Sequence, residues 1–395
     1  MIGLKTKNTV SECLYFLFIM SIQCTYYFTG AISIPIKLAL ELILVVLKRK
    51  IKVNLFVKWA ILMVVIAATS GIFSGYNDYT IDALFKVLMA YSTGIVVLIY
   101  NTNIEQINRT FKYLIIGGAT YFLMVFFSQG PMDVLSRGVS GAYTNGTSIN
   151  YTYISIPVAI LAAWIVSRRR SFSTGSVFFI LLLMNFVSGK RKASLIPVLA
   201  LVLFYIFRNG INLKLKVIGR LVCGLIAFWG FIAFSVSNGW AYKTYGYRIY
   251  GLLTYLGNNA DLTDGSVKSL MTRSSLASIA KDNIVHNFPF PIGVGNFASL
   301  STYPHAHNNY LELLLTLGIL GFLCYYAMFF YITRKAWKVR KRPEGVFVIV
   351  YVILTLILDF STTSYWNLVS VAYIAIIYSI VNLDENETDR EWLNY

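Results

Sequence analysis

The sequence predicts an all-α, polytopic membrane protein with about twelve transmembrane helices and one large extracytoplasmic loop that contains short amphipathic helices. Of its 395 residues, 57% are hydrophobic and only 13% are charged, whereas soluble domains average about 45–50% apolar and ~25% charged residues. The apolar residues form runs of bilayer length, and the basic residues cluster between those runs. This composition excludes an ordinary soluble enzyme and a disordered chain.

Twelve apolar runs have about the length of a membrane-spanning helix, which is ~20 residues for a bilayer core of about 30 Å. Nine of them fall in segment 1–236 and three in segment 309–382. They are roughly 11–29, 32–47, 55–74, 84–100, 111–128, 151–167, 174–188, 194–207, 217–236, 309–331, 346–362 and 366–382. The tail 383–395 is acidic, and we expect it to be solvated on the cytoplasmic side.

The basic residues predict the orientation of these spans. Most of the 34 Lys and Arg residues lie in every second connection between the runs, and these connections would all be on the same side of the membrane. Six of these residues lie in segment 334–342. The positive-inside rule then places both termini in the cytoplasm. The net charge of +17 does not indicate a nucleic-acid partner, because the basic residues are not gathered on one soluble face. The cluster Lys190-Arg191-Lys192 falls on the outer face, and an anionic ligand is one reason for such an exception.

The connection 237–308 is the long outer loop, polar and rich in Gly, Ser and Asn. Connections of this length are usually functional or disordered. Within it, segment 268–281 places Leu270, Met271, Leu276 and Ile279 among polar residues. We expect this segment to form an amphipathic helix on the outer surface.

The segment after this loop carries the most informative spacing: His307-Asn308, nine residues, then Gly318-x-x-Gly321. A helix that begins near Asn308 or Asn309 would place His307 at its outer end, at the boundary between membrane and water. Positions 307 and 318 would share a helix face, and the glycines would leave a groove for another helix or a lipid chain. Histidine titrates near neutral pH, so His307 is a candidate general base. A boundary histidine bonded to a neighbouring loop is the alternative.

Other polar residues near this segment are candidates for supporting roles. His305 is predicted to contact the loop or a substrate. Asp359 lies near the outer end of its run beside segment 361–363, which predicts a polar patch close to the site. Glu41 is one helical turn from Lys37, so we expect a structural ion pair there. No spacing of ligand residues predicts a metal site.

His-Asn, nine residues and Gly-x-x-Gly resemble the pattern of the O-antigen ligase/polymerase superfamily, the Wzy- and WaaL-like enzymes. The preceding segment 293–297, GVGNF, and the architecture of about twelve spans with a late outer loop also resemble that family. Arg273 resembles the arginine that opens the family's outer-loop helix, and Arg191 resembles an arginine at the outer end of a central helix. The family commonly has Ser before the latter arginine, whereas this chain has Lys190, so Lys190 and Lys192 share the candidate role.

The resemblance implies a glycosyltransferase on the outer face of the bacterial cytoplasmic (inner) membrane. Its donor would be a polyprenyl-pyrophosphate-linked oligosaccharide. Membrane lipid would surround the protein, and a chain-length regulator protein is a candidate partner. His307 would deprotonate the attacking hydroxyl, while Arg191, Arg273, Lys190 and Lys192 would bind the pyrophosphate. Direct displacement would invert the anomeric carbon and need neither a metal nor another cofactor. Asn308, Gly318 and Gly321 would support the site.

Three functions fit these features. A polymerase would join O-antigen or capsular repeat units, and this function leads because the length of the chain and its many tyrosines resemble the polymerases of the family. A ligase, the alternative, would transfer the glycan to lipid A-core or another acceptor. A transporter or flippase for the same lipid-linked sugars would place its cationic residues within the bundle. Arg191, Arg273 and His307 are predicted at the outer boundary, which favours chemistry on one face. We expect the three side chains to converge in one outer cavity.

Overall fold

Helices make up nearly all the regular structure of the described chain. The computed structural model describes residues 2–24, 30–48, 52–129, 143–144, 147–148, 152–168, 172–187, 191–209, single positions between 230 and 254, and 265–383. Its described residues form thirteen α-helices, two short 3-10 turns at Gly71–Ser74 and Asn296–Ser299, and one antiparallel pair of two-residue strands. The all-α prediction is therefore confirmed at the level of fold class.

The helices are α1 (Ile2–Cys24), α2 (Gly30–Lys48), α3 (Leu55–Ser70), α4 (Asp78–Tyr100), α5 (Ile104–Gln129), α6 (Thr152–Arg168), α7 (Phe172–Val187), α8 (Arg191–Asn209), α9 (Gly265–Asn287), α10 (Asn309–Thr316), α11 (Gly318–Lys338), α12 (Pro343–Asp359) and α13 (Leu368–Val381). Strand β1 (Tyr143–Thr144) pairs with β2 (Thr147–Ser148), with Tyr143 opposite Ser148.

Asparagine side chains fix where several of these helices begin. The side-chain oxygens of four asparagines accept the backbone N–H three residues ahead, and these N-caps are Asn54 for α3, Asn77 for α4, Asn308 for α10 and Asn367 for α13. Asparagine is among the preferred N-cap residues because its oxygen satisfies one of the unpaired N–H groups of the first turn. Helix α12 begins instead with Pro343, whose missing N–H costs nothing there.

Eleven of the twelve predicted runs overlap a helix of the structure, and the ninth run, 217–236, lies mostly outside the described residues. The tenth run differs from the prediction, because 309–331 is not one helix: α10 ends at Thr316 and α11 begins at Gly318. The predicted amphipathic segment 268–281 is helical and belongs to the longer α9.

Two helical stretches in the described residues, Leu55–Ser74 and Asp78–Tyr100, are long and apolar enough to cross a membrane. Four further apolar helical segments are shorter, namely Thr9–Gln23, Ile154–Arg168, Leu195–Phe207 and Leu368–Val381. The count of twelve membrane crossings stays a prediction.

The chain divides into two compact units. Unit 1 comprises Met1–Gly117 and Ser275–Tyr395, and unit 2 comprises Gly118–Ser274, so the division falls inside α5 and α9. In unit 2, α6 packs against α7 and α8. In unit 1, α4 packs most extensively against α13 and also against α3.

Close contacts in unit 1 depend on a small residue and an indole. Gly94 lets α4 approach α13, since a Cβ there would lie 2.9 Å from the Val371 Cγ1 atom. The indole Nε1 of Trp59 on α3 donates to the Cys324 carbonyl of α11 at 2.9 Å, and its ring lies edge-on to Tyr91. Both contacts join helices that are far apart in sequence, so they define the core that carries the candidate site.

A buried ion pair within α2 is hydrogen-bonded to α4 in the same unit. Lys37 Nζ lies 2.8 Å from Glu41 Oε1, as the sequence predicts. The hydroxyl of Thr93 donates to Glu41 Oε1 at 2.7 Å, and that of Ser92 donates to Glu41 Oε2 at 3.0 Å. The carboxylate is thus satisfied by groups of both helices, which indicates a structural role.

Candidate functional site

Residues 293–297, here called the glycine loop, precede His307 and pack against the turn between α3 and α4. The N–H of Val294 donates to Ser70 Oγ at 3.0 Å, and Asn77 Nδ2 donates to Asn296 Oδ1 at 2.8 Å. Asn77 also caps α4, so one side chain fixes both the start of that helix and the position of the loop.

Glycine is required at two positions of this loop. Gly293 has φ +101° and Gly295 has φ +74°, a region that other residues rarely adopt. A Cβ on Gly293 would lie 2.6 Å from Ser74 Cβ, and one on Gly295 would lie 2.6 Å from the Tyr79 carbonyl oxygen. The glycines of the predicted GVGNF segment therefore allow the loop to contact α3 and α4 closely.

Ala306, between the two histidines, anchors the segment that carries them. Its side chain is buried in an apolar cluster with Leu276 and Ala280 of α9, and with Phe297 and Leu315. Its N–H donates to the Glu312 Oε2 atom at 2.7 Å. The segment is thus held by its side chain and its backbone together.

His307 itself has a backbone conformation that is uncommon for a residue with a Cβ. Its φ is +55°, and Tyr76 is the one other non-glycine residue with positive φ in the described part of the chain. The left-handed region costs an L-residue about 1–2 kcal/mol. Such strained residues cluster at functional sites and persist where the flanking structure holds them, as Ala306 on one side and Asn308 on the other do here.

Two rings lie beside the His307 side chain. The His305 and His307 rings are 4.3 Å apart between centroids, and the Tyr303 ring lies 6.2 Å from His307, edge to face. Both imidazoles are half-buried, and Tyr303 is exposed. Two groups that can exchange protons and one aromatic ring are therefore gathered where solvent reaches them, a combination suited to a hydroxylated substrate.

Asn308 caps α10 as the sequence predicts. Its Oδ1 accepts from the Leu311 N–H at 3.1 Å, and its carbonyl accepts from the Glu312 N–H at 2.9 Å. His307 therefore lies directly before the N-cap of α10, at the end of the helix where it was predicted. Its place on the outer face of the membrane stays a prediction.

The predicted relation of His307 to the two glycines is wrong. Gly318 has φ +68° and begins a new helix, so it cannot share a helix face with His307. The space beside it is filled, because a Cβ on Gly318 would lie 3.0 Å from the Pro289 carbonyl oxygen. Gly321 is buried and would place a Cβ 2.2 Å from Leu317 Cβ. The loop around Pro289 and Pro291 fills the position at Gly318 where a groove was expected.

Asp359 lies at the end of α12, fully buried, in a network that fixes the start of α10. Its Oδ2 accepts from Asn309 Nδ2 at 3.1 Å and from the Tyr326 hydroxyl at 2.9 Å, while its Oδ1 accepts from Ser364 Oγ at 2.5 Å. Asn309 Oδ1 accepts in turn from the N–H groups of Ser364 and Tyr365. Asp359 thus joins α10, α11 and α12 and is not exposed to solvent.

A second buried carboxylate, Glu312, lies on α10 near Tyr365. The Thr316 hydroxyl donates to the Glu312 carbonyl at 2.6 Å and lies 3.3 Å from the Tyr365 hydroxyl. Burial raises the pKa of the Tyr365 phenol well above its usual range, and the Glu312 carboxylate raises it further. Tyr365 therefore stays protonated at working pH and can only act as a hydrogen-bonding group.

The predicted pyrophosphate-binding residues belong to unit 2. Arg191 is the first residue of α8, Lys192 is the half-buried second residue, and Arg273 is an exposed residue of α9. Lys190 and the side chain of Arg191 lie outside the described residues. Convergence of these cations with His307 stays a prediction.

Sequence reasoning missed Glu312 and the partners of Asp359. Glu312 is the one charged residue in the run YLELLLTLGILGFL that follows Asn309. Like Asp359, Glu312 is a charged group among apolar residues, which was a signal for a candidate functional residue. Asn309, Tyr326 and Ser364 gave no comparable signal, because they become a cluster only when three helices meet.

Comparison with known proteins assigns no family to this chain. No family model matches it, and a search of the curated proteins gives no match.

Proposed function

We propose that this chain is a membrane-embedded polysaccharide polymerase, a glycosyltransferase that joins polyprenyl-pyrophosphate-linked oligosaccharide repeat units. The observation that carries the proposal is His307, a residue held in a strained left-handed conformation at the mouth of α10, with His305 beside it. The resemblance of His-Asn, nine residues and Gly-x-x-Gly to the O-antigen ligase/polymerase pattern supports it.

In the proposed reaction, His307 accepts the proton of an acceptor sugar hydroxyl. The hydroxyl oxygen forms a bond to the anomeric carbon of the donor as the bond from that carbon to the phosphate oxygen breaks. The polyprenyl pyrophosphate leaves with the bonding electron pair, and the anomeric configuration inverts. Arg191 and Arg273, with Lys190 and Lys192, would neutralise the charge that develops on the leaving group, and the reaction as written needs no metal.

The proposal includes a location. Both termini would lie in the cytoplasm of a bacterial cell and His307 on the extracytoplasmic face of the cytoplasmic membrane, as the distribution of basic residues favours. About twelve helices would cross the membrane. The long apolar helical stretches Leu55–Ser74 and Asp78–Tyr100, whose connecting turn contacts the glycine loop, support this arrangement.

The first prediction tests the reaction. Purified protein in detergent is given a lipid-linked repeat unit as its sole sugar substrate, and the products are separated on a gel. The wild type is expected to make a ladder of lengthened chains. His307→Ala should lower its rate by about 100-fold or more, because general acid–base catalysis contributes roughly 10²–10⁴-fold.

His286→Ala is the matched control, since His286 is an exposed histidine bonded to its own helix α9. It should make the wild-type ladder. A wild type that makes no ladder but transfers the glycan once lipid A-core is added would be a ligase. A wild type that only moves the lipid across vesicle membranes would be a transporter, and either result would contradict the polymerase.

A further inference from the structure

We propose that Glu312 is a positioning residue for His307, a role that rests on the proposed function and extends it. Glu312 Oε2 accepts the Ala306 N–H at 2.7 Å, and Ala306 is the residue between the two histidines. No role in the reaction is otherwise assigned to this carboxylate.

The hydrogen bond between Ala306 and Glu312 lies directly before the strained backbone of His307. His307 has φ +55°, and the peptide that precedes Ala306 is the one that Glu312 holds. Asn308 secures the other side by capping α10, and the Glu312 N–H donates to the Asn308 carbonyl at 2.9 Å. Glu312 therefore bonds on both sides of His307, through its side chain before it and its backbone after it.

Helix stability alone does not explain a glutamate at this position. The residue is fully buried, and Leu313 and Leu315 on the same helix are buried as well. The second carboxylate oxygen, Oε1, is buried with no hydrogen-bond partner among the described residues. Since an unsatisfied buried polar atom is destabilising, a leucine would suit α10 better unless the bond to Ala306 serves a purpose.

Without this acceptor, the Ala306 N–H would be buried and unpaired, and His307 would be free to leave the left-handed region. A catalytic group displaced by about 1 Å can lose ~100-fold in rate. Substrate binding would change little, because Glu312 is buried and does not reach the surface. The signature of a positioning role is therefore a fall in kcat with KM nearly unchanged.

The experiment compares three variants of the full chain in detergent. Glu312→Leu removes the acceptor, Glu312→Gln retains an oxygen that accepts from Ala306, and Thr316→Val perturbs the same helix without touching Ala306. Two quantities are measured: kcat and KM for chain extension, and the rate at which diethyl pyrocarbonate modifies His307. Mass spectrometry reads the modification, with His286 as the internal reference.

Glu312→Leu is expected to lower kcat about 100-fold, to change KM less than ~3-fold, and to raise the modification rate of His307 several-fold. Glu312→Gln and Thr316→Val should resemble the wild type in both measurements. If Glu312→Leu does not fold, Glu312→Asp replaces it, because its oxygen falls short of Ala306 by about one C–C bond length, ~1.5 Å.

Two results would overturn the proposal. One is unchanged kcat and unchanged His307 reactivity in Glu312→Leu or its replacement. The other is a loss in Glu312→Gln as large as in Glu312→Leu, which would assign the effect to charge and not to the bond with Ala306. A wild type without extension activity would contradict the proposed function alone, while the reactivity of His307 would still test its positioning by Glu312.

Discussion

At the scale of single residues, the glycine loop depends on backbone conformations that a methyl group would disturb. Gly75 and Gly295 have similar positive φ values, +63° and +74°. A Cβ on Gly75 would meet nothing within 4 Å, whereas one on Gly295 would meet the Tyr79 carbonyl oxygen at 2.6 Å. Alanine at Gly75 therefore tests the free-energy cost of the left-handed conformation alone, whereas alanine at Gly295 adds the cost of a steric clash.

Gly295→Ala is expected to destabilise the protein by about 1–3 kcal/mol more than Gly75→Ala, because both pay the conformational cost and only the former must displace backbone. Thermal unfolding in detergent measures the difference. Equal losses in the two variants would contradict the close approach of Gly295 to the first turn of α4.

At the scale of helices, the buried ion pair between Lys37 and Glu41 of α2 is hydrogen-bonded to Ser92 and Thr93 of α4. Lys37 is fully buried, and Glu41 is nearly so. Removing one member of a buried pair leaves an uncompensated charge, whereas replacing both with apolar residues is often neutral or stabilising.

Lys37→Met is accordingly expected to cost about 3–5 kcal/mol, and the double change with Glu41→Met should recover most of it. Lys86→Met is the matched control, since Lys86 and Asp82 form an exposed pair at the same i,i+4 spacing on α4. It should change stability by less than about 1 kcal/mol. Additive losses in the Lys37 and Glu41 double-mutant cycle would contradict a coupled buried pair.

Also at this scale, local chemistry explains what the sequence could predict. The Asn308 cap and the Lys37–Glu41 pair involve residues within four positions of each other, so their spacing was sufficient. The break after α10 was not predictable, because the loop at Pro289 and Pro291 approaches Gly318 from another part of the chain. The apolar run continues unchanged through the break, so hydropathy shows one span where the structure has two helices.

At the scale of the whole molecule, the orientation of the chain in the membrane is a prediction that can be tested separately from the reaction. Tyr303 and Lys341 are both exposed in the structure, and the distribution of basic residues assigns them to opposite faces. They therefore report the topology without depending on enzyme activity.

Cysteine placed at either position is expected to react from one side only. In a background with the four native cysteines replaced, Tyr303→Cys should react with a membrane-impermeant thiol reagent in intact cells whose outer layers admit it. Lys341→Cys should react only after the membrane is permeabilised. The reverse pattern, or labelling of both in intact cells, would contradict the proposed orientation.

The network around Asp359 has a consequence for the order in which the site is built. Asn309 is synthesised well before Asp359 and Ser364, yet its amide group bonds to both. The hydrogen bonds of Asn309 at the start of α10 are therefore complete only after the chain as far as Ser364 has left the ribosome. A nascent chain that already contains His307 would still lack a finished site until Asp359 and Ser364 have followed it.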